Sequence, residues 1–250
     1  MIAGGLLAIA GWVVGAPHLA SLWPARLSYR DLPGLTPFRT SDTAGALSTG
    51  TGLLVGLEAA APPDAAHTER IAAVRADPCR ALFGPQTDTR LPIAFFSDFN
   101  CPNCRVLDAI LLAYDTANPG TIRIIRHELP LLGAASTIAS QAVLAADLQG
   151  GYTVMHDRLI RTRMVSDLSL VASIANSVGL DGQRLVSDMQ TPAIATALDT
   201  AKAIAAVFGF YGTPSTVIGR TVFLGSIPAA NVAQIIKDEL AAMPLDCNRG

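Results

Sequence analysis

Apolar positions change period along this chain, and each change marks an element. From Met1 to Ala25 there is no Asp, Glu, Lys or Arg, and Ile2 to Val14 is almost continuously apolar. Residues 27–66 are rich in Gly, Pro, Ser and Thr, with a short apolar piece at Leu53 to Leu57 and no sustained period, so they read as a linker or a small accessory segment. Helical spacing begins at His67 to Ala76, through Ile71 and Val74, and Asp77-Pro78-Cys79 follows as a turn. Leu91 to Phe96 is short and apolar enough for a strand buried on both faces. A helix over Pro102 to Tyr114, a turn at Asn118-Pro119-Gly120 and an Ile-rich strand over Thr121 to His127 complete a strand, helix, strand unit of the length a right-handed parallel crossover needs.

An alanine-rich helical block comes next. Ser136 is placed to cap Thr137 to Leu148, ended by Gly150-Gly151; Tyr152 to Arg161 continues; Ser166 is placed to cap a helix to Val178; Asp181 opens a short one. Thr191 and Pro192 start a helix that stops at Gly209, and its stripe Ile194, Leu198, Ala201, Ala205, Phe208 marks core. Ser215 to Ile218 and Thr221 to Leu224 read as a hairpin about Gly219-Arg220, followed by a last helix from Pro228 to Met243. The order, βαβ, helical insertion, α, then ββα, predicts an α/β fold with a mixed sheet covered by helices. The expected organisation is 1–25 as signal or anchor, 26–66 as linker or accessory segment, and 67–250 as one domain with a helical insertion at about 134–190.

Composition narrows the classes. With 250 residues, a net charge of −2 and 15% charged residues there is no basic face, so nucleic acid is not an expected partner. The leading apolar stretch predicts export or membrane insertion; Gly4, Gly5, Gly11 and Gly15 would weaken a water-soluble helix but suit a membrane span. Pro17 disfavours cleavage after Val14-Gly15-Ala16, so an uncleaved anchor over residues 1–22 is favoured. Arg26 and Arg30 follow the stretch and no Arg or Lys precedes it, opposite to the usual orientation for exporting what comes after.

Candidate chemistry is concentrated in Phe95-Phe96-Ser97-Asp98-Phe99-Asn100-Cys101-Pro102-Asn103-Cys104. A helix that begins after Cys101 puts Pro102 at its first position, where a missing N–H costs nothing, and Cys104 about one turn on along the same face. The two sulfurs can then form one disulfide. Cys101, at the positive end of the helix dipole, should have a thiol pKa below the ordinary ~8.5 and be the exchanging sulfur. Cys104, flanked by Val106, Leu107, Ile110 and Leu111, should be the buried resolving thiol. The same spacing supplies half of many zinc sites, but Cys79 and Cys247 do not form a second such pair, and His18, His67, His127 and His156 show no paired ligand spacing. No metal and no cofactor is expected.

These residues resemble the thioredoxin superfamily, and within it the DsbA-like thiol-disulfide oxidoreductases of bacterial envelopes, over roughly Leu91 to Met243. The resemblance is carried by Phe95 to Cys104, by Glu128-Leu129-Pro130-Leu131-Leu132-Gly133 with Ser136, by Gln149-Gly150-Gly151-Tyr152, and by Gly212-Thr213-Pro214. It implies a thioredoxin-like fold with an inserted all-helical subdomain, and a cis Pro214 facing the dithiol, with the backbone of Thr213 free to pair with an extended substrate segment beside Cys101. Three departures qualify it. Asn103 stands where the strongest oxidants carry His, so the thiolate loses a positive partner. Phe95 stands where relatives often bury an acid that moves protons for the resolving thiol, and Asp98 is either its substitute or a solvated turn residue. Thr213 before the proline is similar to the isomerases.

Cys79 and Cys247 flank the matched region, and a bridge between them would staple the domain for roughly 5 kcal/mol at most; free thiols, a bond to another chain or a relay to Cys101 are the alternatives. The resemblance implies an oxidoreductase exchanging disulfides with cysteine-containing exported proteins in the bacterial periplasm, as an oxidase served by a membrane redox partner. An isomerase or reductase, or a non-catalytic copper-handling protein, is the alternative.

Overall fold

The computed structural model describes residues 27–49, 65–85, 88–162, 165 and 167–245. The expected signal or anchor over 1–25 lies outside them, as do Ser166 and Cys247. Among the described residues no helix is long and apolar enough to cross a membrane.

A six-stranded mixed sheet organises the fold, with strands β1 (Tyr29–Asp31), β2 (Arg39–Ala44), β3 (Leu91–Ser97), β4 (Ile122–Glu128), β5 (Ser215–Ile218) and β6 (Thr221–Leu224) in the order β1-β2-β6-β5-β3-β4. β3 is buried along its whole length, parallel to β4 on one side and antiparallel to β5 on the other. Its alternating side chains feed two cores. Leu91, Ile93 and Phe95 pack with Leu107 and Leu111 of α3 (Pro102–Ala117) and with Val232, Ile235 and Ile236 of α9 (Ala229–Ala241). Ala94 and Phe96 face the opposite core, with Leu82 and Phe83 of α2 (Pro78–Phe83) and Ile204 and Phe208 of α8 (Pro192–Phe208). This period of two is what lets a continuously apolar strand serve both layers.

The helical insertion comprises α4 (Ala134–Asp147), α5 (Tyr152–Leu159), α6 (Leu168–Ser177) and α7 (Gly182–Asp188). Small residues on α4, among them Ala142 and Ala146, bring it close to Met155, Val171 and Leu185 in a core of its own. Phe99, from the loop after β3, enters that core and joins the insertion to the sheet. α8, about 25 Å long at helical rise, bridges both: Ile194 packs in the insertion and Phe208 on the sheet.

Several expectations need correction. Residues 27–49, within the segment expected as a linker or small accessory segment, add two strands to the sheet: β2 pairs in parallel with β6, and β1 pairs antiparallel with β2. Phe38, 1% exposed, meets Phe208 edge to face at 5.1 Å, and burying a ring of that size stabilises by about 2–3 kcal/mol. Glu239 of α9, also buried, accepts from Arg39 Nη2 and Thr221 Oγ1, both at 2.6 Å, and from Arg220 N at 3.1 Å, which fastens β2 and the β5–β6 hairpin to the last helix. Asp77 does not sit in a plain turn but caps α2, accepting from Arg80 N at 2.9 Å. α1 (Ala65–Ala76) precedes it. Ser136 lies inside α4, whose N-cap is Gly133, and its hydroxyl is turned inward. Asp167 caps α6 through Leu170 N at 2.8 Å.

Candidate active site

Cys101 is the N-cap of α3 and Pro102 its first residue, so the strand β3 and the turn of Asp98 to Asn100 deliver the sulfur to a helix N-terminus. Cys101 and Cys104 are both free thiols and both buried. The Cys104 backbone N–H donates to Cys101 Sγ at 3.0 Å, one of the first-turn donors that a helix cannot satisfy itself. The Cys104 thiol and the Ser48 hydroxyl also hydrogen-bond this sulfur, and together they pull its pKa down from 9.0 to about 6 against the opposing effect of burial. Cys101 is therefore mostly thiolate at neutral pH. Cys104 moves the other way: burial first, then the neighbouring sulfur, pushes its thiol well above the ordinary range, so it keeps its proton.

Opposite the pair, the Thr213–Pro214 peptide is cis and the Thr213 carbonyl oxygen is 3.4 Å from Cys101 Sγ. Pro102 is exposed and Asn103 half-buried. Asn103 Nδ2 donates to Ser48 Oγ at 3.1 Å, so the asparagine that stands in place of a histidine reaches the sulfur only through that hydroxyl.

Asp98 is completely buried, which excludes a solvated turn residue. Its carboxylate accepts from Asn100 N at 2.8 Å, Leu131 N at 2.8 Å, Leu132 N at 3.0 Å and Ser136 Oγ at 2.7 Å. It ties the cysteine turn to the loop after β4 and to α4. With four donors already on it, this is the anchor of the loop that aims Cys101.

Another acid occupies the interior. Glu128, at the end of β4, is buried and accepts the Tyr152 hydroxyl at 2.5 Å, while its Oε2 has no hydrogen-bond partner among the described residues. Burial raises its pKa from 4.5 to about 7, with Tyr152 and Arg126 pulling back. Arg126 pairs with Asp108 of α3 at 2.7 Å, one turn beyond Cys104. His156 stacks on Tyr152 at 5.9 Å between ring centres, and burial holds its pKa below the ordinary value. His127 donates to or accepts from nothing at the thiols; it lies on the Phe96 ring at 4.5 Å with Nε2 2.8 Å from the Leu82 carbonyl. Cys79 is disulfide-bonded. Among the described residues no three His, Cys, Asp or Glu gather as a metal site would require.

Two groups at this site escaped sequence reasoning. Glu128 lies in a stretch that serves in the sequence only to mark a resemblance; the strand residues beside it, Arg126 and His127, are polar and give no sign of its burial. Ser48 falls in the segment read as a linker or small accessory segment, and nothing in its local pattern points to a partner so distant in the chain. An open apolar groove of about 720 Å³ runs beside the dithiol helix, between Val106, Ile110 and Ala113 of α3 and Val232 and Ala233 of α9.

A family profile described as DSBA-like thioredoxin domain matches residues 92–237. Among solved structures, a thioredoxin-like oxidoreductase from Silicibacter pomeroyi DSS-3 is 29% identical with a TM-score of 0.61, covering 66% of this chain and 99% of its own. The catalytic domain of Proteus mirabilis ScsC is 26% identical with a TM-score of 0.58, covering 69% of this chain and 98% of its own. The thiol-disulfide exchange protein alpha-DsbA2 from Wolbachia pipientis, at 17% identity and a TM-score of 0.59, covers 71% of this chain and 99% of its own and is alike in fold. No curated protein matches the chain.

Proposed function

This chain belongs to the family of DSBA-like thioredoxin domains, whose members are thiol-disulfide oxidoreductases, and from that premise we propose that it oxidises dithiols of exported proteins through Cys101 and Cys104. A substrate thiolate attacks Sγ of Cys101 in the Cys101–Cys104 disulfide. The old S–S bond breaks, its electron pair goes to Cys104, and Cys104 takes up the proton that its burial favours. A second substrate thiolate then attacks the substrate sulfur of the mixed disulfide. The substrate leaves oxidised, and Cys101 departs as the thiolate that the Cys104 thiol, the Ser48 hydroxyl and the Cys104 N–H help to hold.

The observation that carries this reading is the set of donors converging on Cys101, because stabilising the reduced enzyme is what makes a dithiol oxidising. A pKa of about 6 lies between an ordinary ~8.5 and the ~3.5 of the strongest oxidants, so the oxidising strength should be intermediate. The apolar groove beside α3 offers an unfolded substrate chain a surface to lie on. The uncharged apolar N-terminal stretch and a disulfide-bonded Cys79 support the bacterial periplasm, with residues 1–22 as an anchor where they are retained, a membrane redox partner to reoxidise the pair, and Cys247 as the partner of Cys79.

Equilibration of the purified protein in glutathione buffers tests the direction. A reduction potential on the oxidising side of about −180 mV supports the oxidase, whereas one near about −270 mV assigns a reductant. Oxidation of a two-cysteine peptide should cease in Cys101→Ser, and turnover that survives this substitution refutes the assignment.

A further inference from the structure

After β2 the chain turns along the end of β6 and crosses the dithiol. Ala46 bridges Ser226, and Ser48 forms an antiparallel bridge with Thr213: Ser48 N donates to the Thr213 carbonyl at 2.7 Å and Thr213 N donates to the Ser48 carbonyl at 2.8 Å. Both backbone groups of the residue before the cis proline are thereby used by the protein's own chain. The crossing is built closely. A Cβ on Gly45 would lie 2.2 Å from the Ser226 carbonyl oxygen, and one on Gly212 would lie 2.7 Å from Leu47 Cγ and 2.8 Å from the Ser48 carbonyl oxygen, so neither position takes a larger residue without shifting the strap. Ser48 also receives Asn103 Nδ2 at 3.1 Å, which leaves its hydroxyl proton free to point at Cys101 Sγ. Cys101 is 0% exposed under this cover.

An attacking thiolate must approach Cys101 Sγ in line with the disulfide, and a substrate segment that pairs with Thr213 needs the two groups Ser48 holds. We propose that residues 46–49 are an intrachain occupant of the substrate edge, and that a cysteine-bearing extended segment displaces them to reach Cys101. This rests on the exchange reading above. The strap keeps the site closed, holds the resting thiolate through the Ser48 hydroxyl, and sets what can replace it: an antiparallel extended segment with a small residue opposite Thr213. Fractional opening scales the rate for every reagent that needs the edge.

The whole protein with Cys104→Ala, its Cys79 disulfide left intact, keeps Cys101 as the reactive thiol. Alkylation of Cys101 by iodoacetamide, divided by the thiolate fraction read from its ultraviolet absorbance, is compared in Ser48→Ala, which loses only the hydroxyl, and Ser48→Pro, which also loses the N–H that holds Thr213. The strap predicts that the proline variant reacts at least about tenfold faster per thiolate; equal rates overturn it. A second measurement needs no proline. In Cys104→Ala carrying a disulfide-linked cysteine peptide on Cys101, the Ser48 amide should exchange with solvent at least about tenfold faster than in the peptide-free protein while the Thr213 amide stays protected. An adduct in which Ser48 keeps its protection overturns the strap and leaves the exchange reading intact. Alkylation that accelerates in the proline variant while no peptide adduct ever forms supports the strap and refutes the exchange reading instead.

Discussion

Replacing Glu128 by Gln removes a buried charge while keeping an oxygen to accept the Tyr152 hydroxyl, which lies 2.5 Å from Glu128 Oε1. The folded pKa of Glu128 is raised from 4.5 to about 7. A raised acid contributes its full stability below the unfolded pKa and loses it as pH rises through the folded one. Relative to a side chain that stays neutral, the titratable Glu128 therefore costs about 3 kcal/mol at about pH 8 and only about 1 kcal/mol at about pH 5, where the folded carboxyl is still protonated. Urea unfolding of oxidised wild type and Glu128→Gln at these two pH values measures it, since oxidation removes the thiols from the titration. Arg126, Asp98, Asp108 and the nearby His156 are present in both proteins, and Tyr152, raised well above both pH values, stays neutral. The variant should gain about 2 kcal/mol more over wild type at the higher pH than at the lower. An equal difference at both pH values would show that Glu128 titrates as an ordinary carboxyl, and its burial against Tyr152 would not raise its pKa.

Three other outcomes follow from the same geometry. In the reduced protein the Cys101 thiolate should titrate with a midpoint at about 6; because this pKa is depressed, the stability it adds is present above the ordinary thiol pKa and is lost as pH falls through 6, and Cys104→Ala should raise the midpoint by removing the largest donor, a shift that ultraviolet absorbance reads directly. Asp98→Ala leaves two loop N–H groups, Asn100 N and the Ser136 hydroxyl without their acceptor and should cost about 3–5 kcal/mol in thermal or urea unfolding, with Asp98→Asn costing less; a change below about 1 kcal/mol would remove Asp98 from its anchoring role. Truncating Arg39 and Glu239 singly and together should reveal a coupling of about 1–3 kcal/mol in a double-mutant cycle, and additivity would mean that β2 is not fastened to α9 through this pair.

What the amino-acid sequence disclosed, and what it withheld, divides along the range of the interactions. β5 and β6 lie where alternating apolar residues around Gly219-Arg220 place them, and Cys101 caps α3 because Pro102 and the helical spacing after it are local signals. Asp181 is a cap for the same reason. β2 was invisible: Arg39 to Ala44 carries one buried position, Ser41, and its pairing with β6 comes from nearly two hundred residues away, fastened by Glu239. Ser136 is a residue type that suits a cap, yet the carboxylate of Asp98 claims its hydroxyl and Gly133 takes the N-cap position of α4. Asp98 itself looks like a turn residue because only the folded loop brings Leu131 and Leu132 amides onto it. The chemistry was legible at Cys101 and Cys104; the hydroxyl that tunes it, on Ser48, was not.

The central claim is that Cys101 exchanges with substrate and Cys104 resolves. It is tested most directly by incubating reduced Cys104→Ala and Cys101→Ala proteins with an activated disulfide of a cysteine peptide and mapping the adducts by mass spectrometry. Rapid, stable attachment at Cys101 in the first protein, with little at Cys104 in the second because its buried thiol keeps its proton, is the predicted result; attachment at Cys104 at an equal or greater rate would contradict it.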